Sequence, residues 1–199
     1  MFEDLLHRLL ALLVALVLHE YAHAWVATRL GDPTPRATGR LTLNPLAHLD
    51  PIGLIMLWIF RFGWAKPVQI NPYFFRNQRQ GMILVSLAGP VMNIIIALLG
   101  LIALRYVGYR GFWGILLQWI VLYDVLLAVF NLIPIPPLDG SKVLFGMLPA
   151  RFGHIATALE GYGWVILLIA IYVGVIGAIL YPLANGLLNI LNGIVAMLL

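Results

Sequence analysis

Four long apolar runs constrain what this chain can fold into. They cover residues 5–30, 82–107, 112–133 and 162–181. Each is long enough to cross a bilayer, which takes about 20 mostly apolar residues in a helix. Of the 199 residues, 62% are hydrophobic and 10% are charged, whereas soluble domains are about 25% charged. The runs predict an all-α polytopic membrane protein and exclude a soluble globular domain.

Two shorter apolar stretches give a total of about five to six transmembrane helices. The stretch 51–62 is too short to span a bilayer, so it predicts a re-entrant or interfacial helix. The stretch 183–199 is borderline, and either a span or an interfacial helix fits its length. The first run follows Met-Phe-Glu-Asp, and two acidic residues ahead of an apolar run are not typical of a signal peptide.

Basic residues predict the orientation in the membrane, because cytoplasmic loops carry an excess of Lys and Arg. Those between the first two full spans are Arg29, Arg36, Arg40, Arg61, Lys66, Arg76 and Arg79. We therefore expect this segment in the cytoplasm and the N-terminus outside. Alternation then puts the end of the first helix and residues 134–150 on the same side. The basic residues form no continuous face of the kind that binds nucleic acid.

His19, Glu20 and His23 form a metal-binding pattern in the first predicted helix. Residues four apart share a helix face, so the two imidazoles can converge on one ion with Glu20 beside it. Ionisable side chains are costly inside a span and are rarely present without a function. The alternative is that both histidines are polar packing residues and that one of them neutralises Glu20.

A catalytic zinc ion normally has three protein ligands and a water, and the chain contains no cysteine. Asp124 and Asp139 are the carboxylates in the apolar region. Asp124 falls near the middle of its span, whereas Asp139 follows a proline-broken helix end at the depth of His23. The pattern predicts one catalytic Zn²⁺ held by His19, His23 and Asp139. Asp124 is expected to bond a neighbouring helix, with gating or proton transfer as the alternative.

Three polar motifs interrupt the apolar helices. They read His19-Glu20-x-x-His23, Gly89-Pro90-x-x-Asn93 and Asn131-x-x-Pro134-x-x-Pro137-Leu138-Asp139-Gly140. Together they resemble the signature stretches of the intramembrane site-2 metalloprotease family. Residues 39–53 and 63–72 are similar to its compact bacterial members, which carry no PDZ or CBS domain. The resemblance implies one membrane-embedded metalloprotease domain over 1–199, with a catalytic core at about 5–150 and accessory helices at 160–199.

The resemblance also implies an activity. A zinc-dependent endopeptidase of this family would hydrolyse peptide bonds in or near the transmembrane segments of single-span membrane proteins. Glu20 would act as general base on the water that zinc activates. Asn131 and Asn93 are candidates for binding the oxyanion or the substrate, and an interhelical hydrogen bond is the alternative for each. The implied location is a prokaryotic inner membrane, with the active site toward the cytoplasm.

Residues 36–44 predict a strand in a cytoplasmic β-hairpin or re-entrant segment between the first two full spans. Leu41 and Leu43 alternate with polar neighbours such as Thr42. An exposed edge there would bind an extended substrate by strand addition, and a simple loop is the alternative. Nearby, His48 and Asp50 could bind a second ion or support the metal site, although Asp50 also suits the start of a helix.

Two other functions remain open from the sequence: a membrane zinc transporter and a catalytically inactive membrane scaffold. A transport pathway is expected to place polar residues at several depths, and here they cluster at one. A scaffold has no need for a complete set of ligands together with a base. The protease is therefore the favoured interpretation.

Overall fold

The computed structural model describes residues 2–53, 65–149 and 152–199, and every regular element within them is helical. The elements are α1 (Phe2–Arg29), α2 (Thr34–Ala37), α3 (Pro45–His48), a 3₁₀ helix (Pro72–Phe74), α4 (Gln78–Val107), α5 (Gly111–Leu132), α6 (Asp139–Met147), α7 (Gly153–Gly161), α8 (Gly163–Tyr172) and α9 (Val175–Leu198). The all-α prediction is confirmed for the residues described.

Among the described residues, four helices are long and apolar enough to cross a membrane: α1, α4, α5 and α9. Three of them coincide with the first three predicted runs. The fourth predicted run, 162–181, is not one helix, because Gly174 adopts a left-handed φ of 85° between α8 and α9. Glycine reaches that conformation at little cost and commonly ends a helix. The borderline stretch 183–199 instead belongs to the 24-residue α9. The count of five to six spans is not confirmed.

Helices α1, α4 and α5 pack against one another and form the body of the protein. Small residues lie at their contacts: Ala15, Ala97 and Ala128 are completely buried. A Cβ added to Gly100 on α4 would lie only 2.8 Å from Val121 on α5. Small side chains let helices in a membrane approach closely, where dispersion contacts and hydrogen bonds hold them together.

The chain breaks between α5 and α6, as the proline run predicts. α5 ends at Leu132 and α6 begins at Asp139. Proline residues cannot donate the backbone hydrogen bonds that would continue the helix. α6 then packs against α4, and this returns Asp139 to the α1–α4 interface.

Asp32 fixes the segment that follows α1. One carboxylate oxygen accepts the backbone N–H of Thr34 at 2.9 Å and so starts α2. The other accepts the N–H of Asn71 at 2.7 Å. Asp32 is completely buried, so this pair of bonds holds the stretch around residue 71 against the end of α1.

The strand predicted at 36–44 is not confirmed, because α2 occupies residues 34–37 and Leu41, Thr42 and Leu43 lie in an irregular loop. The loop folds back on itself: the His48 ring bonds the Thr42 carbonyl at 2.8 Å, and the Arg40 side chain donates to the Ala47 carbonyl. Backbone groups that face inward in this way are not available for a sheet.

The predicted β-hairpin is not confirmed either. The described residues show one isolated bridge in this region, between Leu49 and Ala65. Residues 51–53 are helical, and the rest of the predicted re-entrant helix, 54–62, lies outside the described residues.

Candidate metal centre

Three donor atoms from two helices meet in one buried cluster. They are Nε2 of His19 and Nε2 of His23, both on α1, and Oδ2 of Asp139 at the start of α6. The two imidazole nitrogens are 3.0 Å apart, and Asp139 Oδ2 lies 3.1 Å from His23 and 3.2 Å from His19. All three residues are buried, and the group is one that could hold a metal ion.

The size of this triangle fits zinc. Zinc binds imidazole nitrogen and carboxylate oxygen at about 2.0–2.2 Å, which separates neighbouring donors of a tetrahedral site by about 3.3 Å. The three measured separations are close to that value. Two imidazole lone pairs and a carboxylate oxygen facing one another this closely repel unless a cation lies among them. The donor set therefore suits a divalent ion.

Hydrogen bonds on the far side of each ring turn Nε2 toward the cluster. His23 Nδ1 lies 2.7 Å from the Val85 carbonyl, and His19 Nδ1 lies 2.6 Å from Asn93 Oδ1. Both partners are acceptors, so each Nδ1 carries the proton and each Nε2 keeps a free lone pair. Metal-binding histidines are commonly oriented in this way.

Asp139 is held in its ionised form. Burial disfavours the charge of Asp139, whereas the positive charge of the Lys142 ammonium favours it. Lys142 Nζ lies 3.7 Å from the second carboxylate oxygen, Oδ1. Because Lys142 pairs with one carboxylate oxygen, the other is the oxygen that could bind a metal ion.

Glu20 lies beside the cluster and lines a cavity of about 120 Å³ together with the three candidate ligands. Its Oε2 accepts the backbone N–H of Val68 at 3.2 Å. Pro67, Val68 and Ile70 line the same cavity. Substrate contact was predicted from the sequence for residues 41–43, which do not line this cavity. Residues within 63–72 do contribute to its wall, and the sequence signal for them was their similarity to the compact bacterial proteins.

The two candidate asparagines have different positions. Asn131 lines the cavity, and its amide donates to the Leu127 carbonyl at 3.0 Å. Asn93 is completely buried behind His19 and does not line the cavity. Asn93 also bonds Asp124, which gives Asp124 the interhelical bond expected from the sequence. The substrate or oxyanion role of Asn131 stays a prediction.

His48 and Asp50 lie outside the donor cluster. Asp50 accepts the backbone N–H of Gly53 at 2.8 Å, which is the geometry of a helix start. The completely buried His48 bonds a loop carbonyl. These contacts favour a structural role for both residues.

Gly89, in the Gly-Pro motif of α4, packs directly against the two histidines of α1. A Cβ at this position would lie 2.5 Å from Cε1 and 2.6 Å from Nε2 of His19, and it would also collide with His23. Only hydrogen leaves room for both imidazoles between α1 and α4. The sequence identified the motif but not this contact.

Gly89→Ala is accordingly expected to displace the imidazoles and weaken zinc binding at least tenfold, an effect like that of disturbing groups that orient ligands. Zinc titration of the purified protein measures it. Gly186→Ala, where a Cβ meets nothing within 4 Å, is the matched control. Equal zinc affinity in the two variants would contradict the packing described.

The fold and the cluster together define a class of protein with long apolar helices and a buried site that can hold a metal ion. The family model of Peptidase family M50 matches residues 109–175. The chain is 38% identical over 189 residues to YwhC of Bacillus subtilis (strain 168), provisionally named a zinc metalloprotease, and the match covers 88% of this chain and 84% of that protein. The chain therefore belongs to peptidase family M50, as the motifs implied.

Two further relatives bear metalloprotease names. Rip2 of Mycobacterium tuberculosis (strain ATCC 25618 / H37Rv), also provisionally named, is 37% identical over 141 residues, which cover 66% of this chain and 53% of Rip2. Zinc metalloprotease MJ0392 of Methanocaldococcus jannaschii is 26% identical over 144 residues, covering 72% of this chain and 35% of that protein. No solved structure matches the chain at a significant level. M50 proteins are membrane proteins, and the apolar helices agree with this.

Proposed function

We propose that this metalloprotease is an intramembrane endopeptidase. It hydrolyses peptide bonds in or near the transmembrane segments of single-span membrane proteins, with Glu20 as general base. The observation that carries the proposal is the buried triangle of donor atoms. Two of its residues, and Glu20 beside them, lie on α1, a helix long enough to cross a bilayer.

The depth of the donors supports an intramembrane substrate. At 1.5 Å per residue, His19 lies about 15 Å and His23 about 9 Å from the Arg29 end of α1. A peptide bond that reaches them comes from a segment within the lipid or close to its surface. Because a helix keeps its carbonyls in internal hydrogen bonds, the substrate unwinds locally before it enters a cavity of about 120 Å³.

The residues around the cavity supply the remaining chemistry. Zinc, when bound, supplies Lewis-acid polarisation and a more acidic water. Glu20 takes a proton from the attacking water and delivers it to the leaving amine. Val68 holds one oxygen of Glu20 through its backbone N–H. Asn131, at the cavity wall, donates to the carbonyl oxygen of the substrate as negative charge develops there.

The basic residues that follow α1 support the proposed orientation, with the active site toward the cytoplasm of a prokaryotic cell and the N-terminus outside. His23 lies near the Arg29 end of its helix, so the site is close to that surface. A substrate would then be cut near the cytoplasmic end of its span.

A pair of reporters tests the substrate class and the orientation together. One reporter carries a single transmembrane segment. The other carries a matching segment with too few apolar residues to cross the bilayer. In bacteria that express the full chain, we expect cleavage of the spanning reporter only. Mass spectrometry of the products should map the cut to the cytoplasmic half of the span. Equal cleavage of both reporters would contradict an intramembrane substrate, and a cut in the opposite half would contradict the orientation.

A further inference from the structure

A chain of buried polar side chains runs from the ligand His19 to Asp124. Asn93 links them: its Oδ1 lies 2.6 Å from His19 Nδ1, and its Nδ2 lies 2.6 Å from Asp124 Oδ1 and 3.0 Å from the Ala15 carbonyl. Asn93 and Asp124 are both completely buried. The chain of bonds connects α1, α4 and α5, and neither Asn93 nor Asp124 borders the cavity.

The hydrogen-bond acceptors around one end of the Asn93 side-chain amide determine which atom the other end presents to His19. A carboxylate oxygen and a backbone carbonyl only accept hydrogen bonds, unless the carboxylate is protonated. The Asn93 amide therefore turns its NH₂ toward Asp124 and Ala15, and its oxygen faces His19. That oxygen accepts the Nδ1 proton, so Nε2 of His19 is the nitrogen with a free lone pair. Asp124, together with the Ala15 carbonyl, thus favours the Nδ1-protonated tautomer of His19 through the Asn93 amide.

Helix packing alone does not account for a carboxyl group at position 124. Oδ2 of Asp124 is buried and has no hydrogen-bond partner among the described residues. A buried carboxyl group with one unpartnered oxygen is costly, and an apolar side chain of similar size would pack the helices at lower cost. Ionisable residues kept inside a span in spite of this cost commonly serve a function.

We propose that Asp124 is a positioning residue for the metal centre. Acting through Asn93, it fixes the ring orientation and tautomer of His19 and thereby sets the affinity for zinc. This inference rests on the proposed function, because it takes the cluster of His19, His23 and Asp139 as the zinc site. It assigns to Asp124 neither contact with the substrate nor a share in proton transfer.

Zinc affinity separates positioning from stability. The full-length protein in detergent is stripped of metal and titrated with zinc against a chromophoric chelator, and thermal unfolding of the metal-free form is measured in parallel. Asp124→Leu and Asn93→Leu each remove the link, and we expect them to bind zinc about 10- to 100-fold more weakly. Asp124→Asn keeps an oxygen that accepts the same bond from Asn93, so its affinity should return close to that of the parent.

Val125→Ala is the matched control, because Val125 is a buried neighbour of Asp124 on the same helix with no place in the link. It should lower the unfolding temperature through lost packing and leave the zinc affinity unchanged. Parent-like zinc affinity in Asp124→Leu would overturn the proposal. So would an affinity of Asp124→Asn as low as that of Asp124→Leu.

A measurement on the parent protein does not depend on whether any variant folds. In the metal-free parent, nitrogen NMR should find a proton on His19 Nδ1, and an unprotonated Nδ1 would overturn the proposal. Cleavage of the spanning reporter by the parent is assayed separately. A parent that binds zinc but cuts nothing contradicts the protease function, whereas a parent that cuts while the variants keep full affinity contradicts only the role of Asp124.

Discussion

Glu20→Gln is expected to reduce peptide hydrolysis by at least about 10²-fold while the protein keeps its zinc. Glutamine has nearly the shape of glutamate but does not accept a proton from water, and positioned general bases contribute about 10² to 10⁴ in rate. The proposed ligands do not include Glu20, so the zinc content should stay that of the parent. Initial rates on the spanning reporter and metal analysis of the same sample measure the two quantities.

Glu160→Gln is the matched control for this substitution. Glu160 is exposed on α7 and undergoes the same chemical change away from the donor cluster. The Glu160→Gln protein should cleave the reporter at the rate of the parent. Undiminished cleavage by Glu20→Gln would refute the assignment of the general base, and loss of zinc in that variant would give Glu20 a place in the metal site.

Asp139→Asn is expected to remove both zinc and activity. The amide keeps the size of the carboxylate but not its charge, so it neither ligates zinc comparably nor balances the positive charge of Lys142. Because changes to groups that only orient ligands already cost 10- to 100-fold in affinity, we expect the loss of a ligand to exceed about 100-fold. Zinc titration measures the affinity, and thermal unfolding of the metal-free form checks the fold.

Asp4→Asn serves as the control for this loss. Asp4 forms an exposed ion pair with Arg8 at 2.8 Å in the first turn of α1, remote from the cluster. Exposed pairs of this kind contribute little to stability, so zinc binding and cleavage should both match the parent. A zinc-loaded, active Asp139→Asn protein would exclude Asp139 as the third ligand.

The donor cluster could be predicted because the signals of its residues are local. The i, i+4 spacing puts His19 and His23 on one helix face. The prolines that precede Asp139 end α5, and depth along two neighbouring helices then favoured Asp139 over Asp124. The structure brings together the three donors that this reasoning selected. The first three apolar runs were equally clear, because a span is recognised from length and composition.

Other features depend on contacts or conformations that the sequence pattern does not carry. Gly174 breaks the predicted fourth span through a single left-handed residue inside an apolar run. Leu41 and Leu43 alternate like a strand, but inward hydrogen bonds of Arg40 and His48 fold their loop instead. The contacts of Gly89 with the histidines require the helices to be docked first.

Two imidazoles and one carboxylate are proposed to hold a single catalytic zinc ion. X-ray absorption at the zinc edge of the purified full chain, with the metal content measured on the same sample, tests this most directly. We predict one zinc ion per chain, surrounded by two imidazole nitrogens and oxygen donors at about 2.0–2.2 Å. A spectrum without imidazole scattering, or a protein that cuts the reporter with no zinc bound, would contradict it.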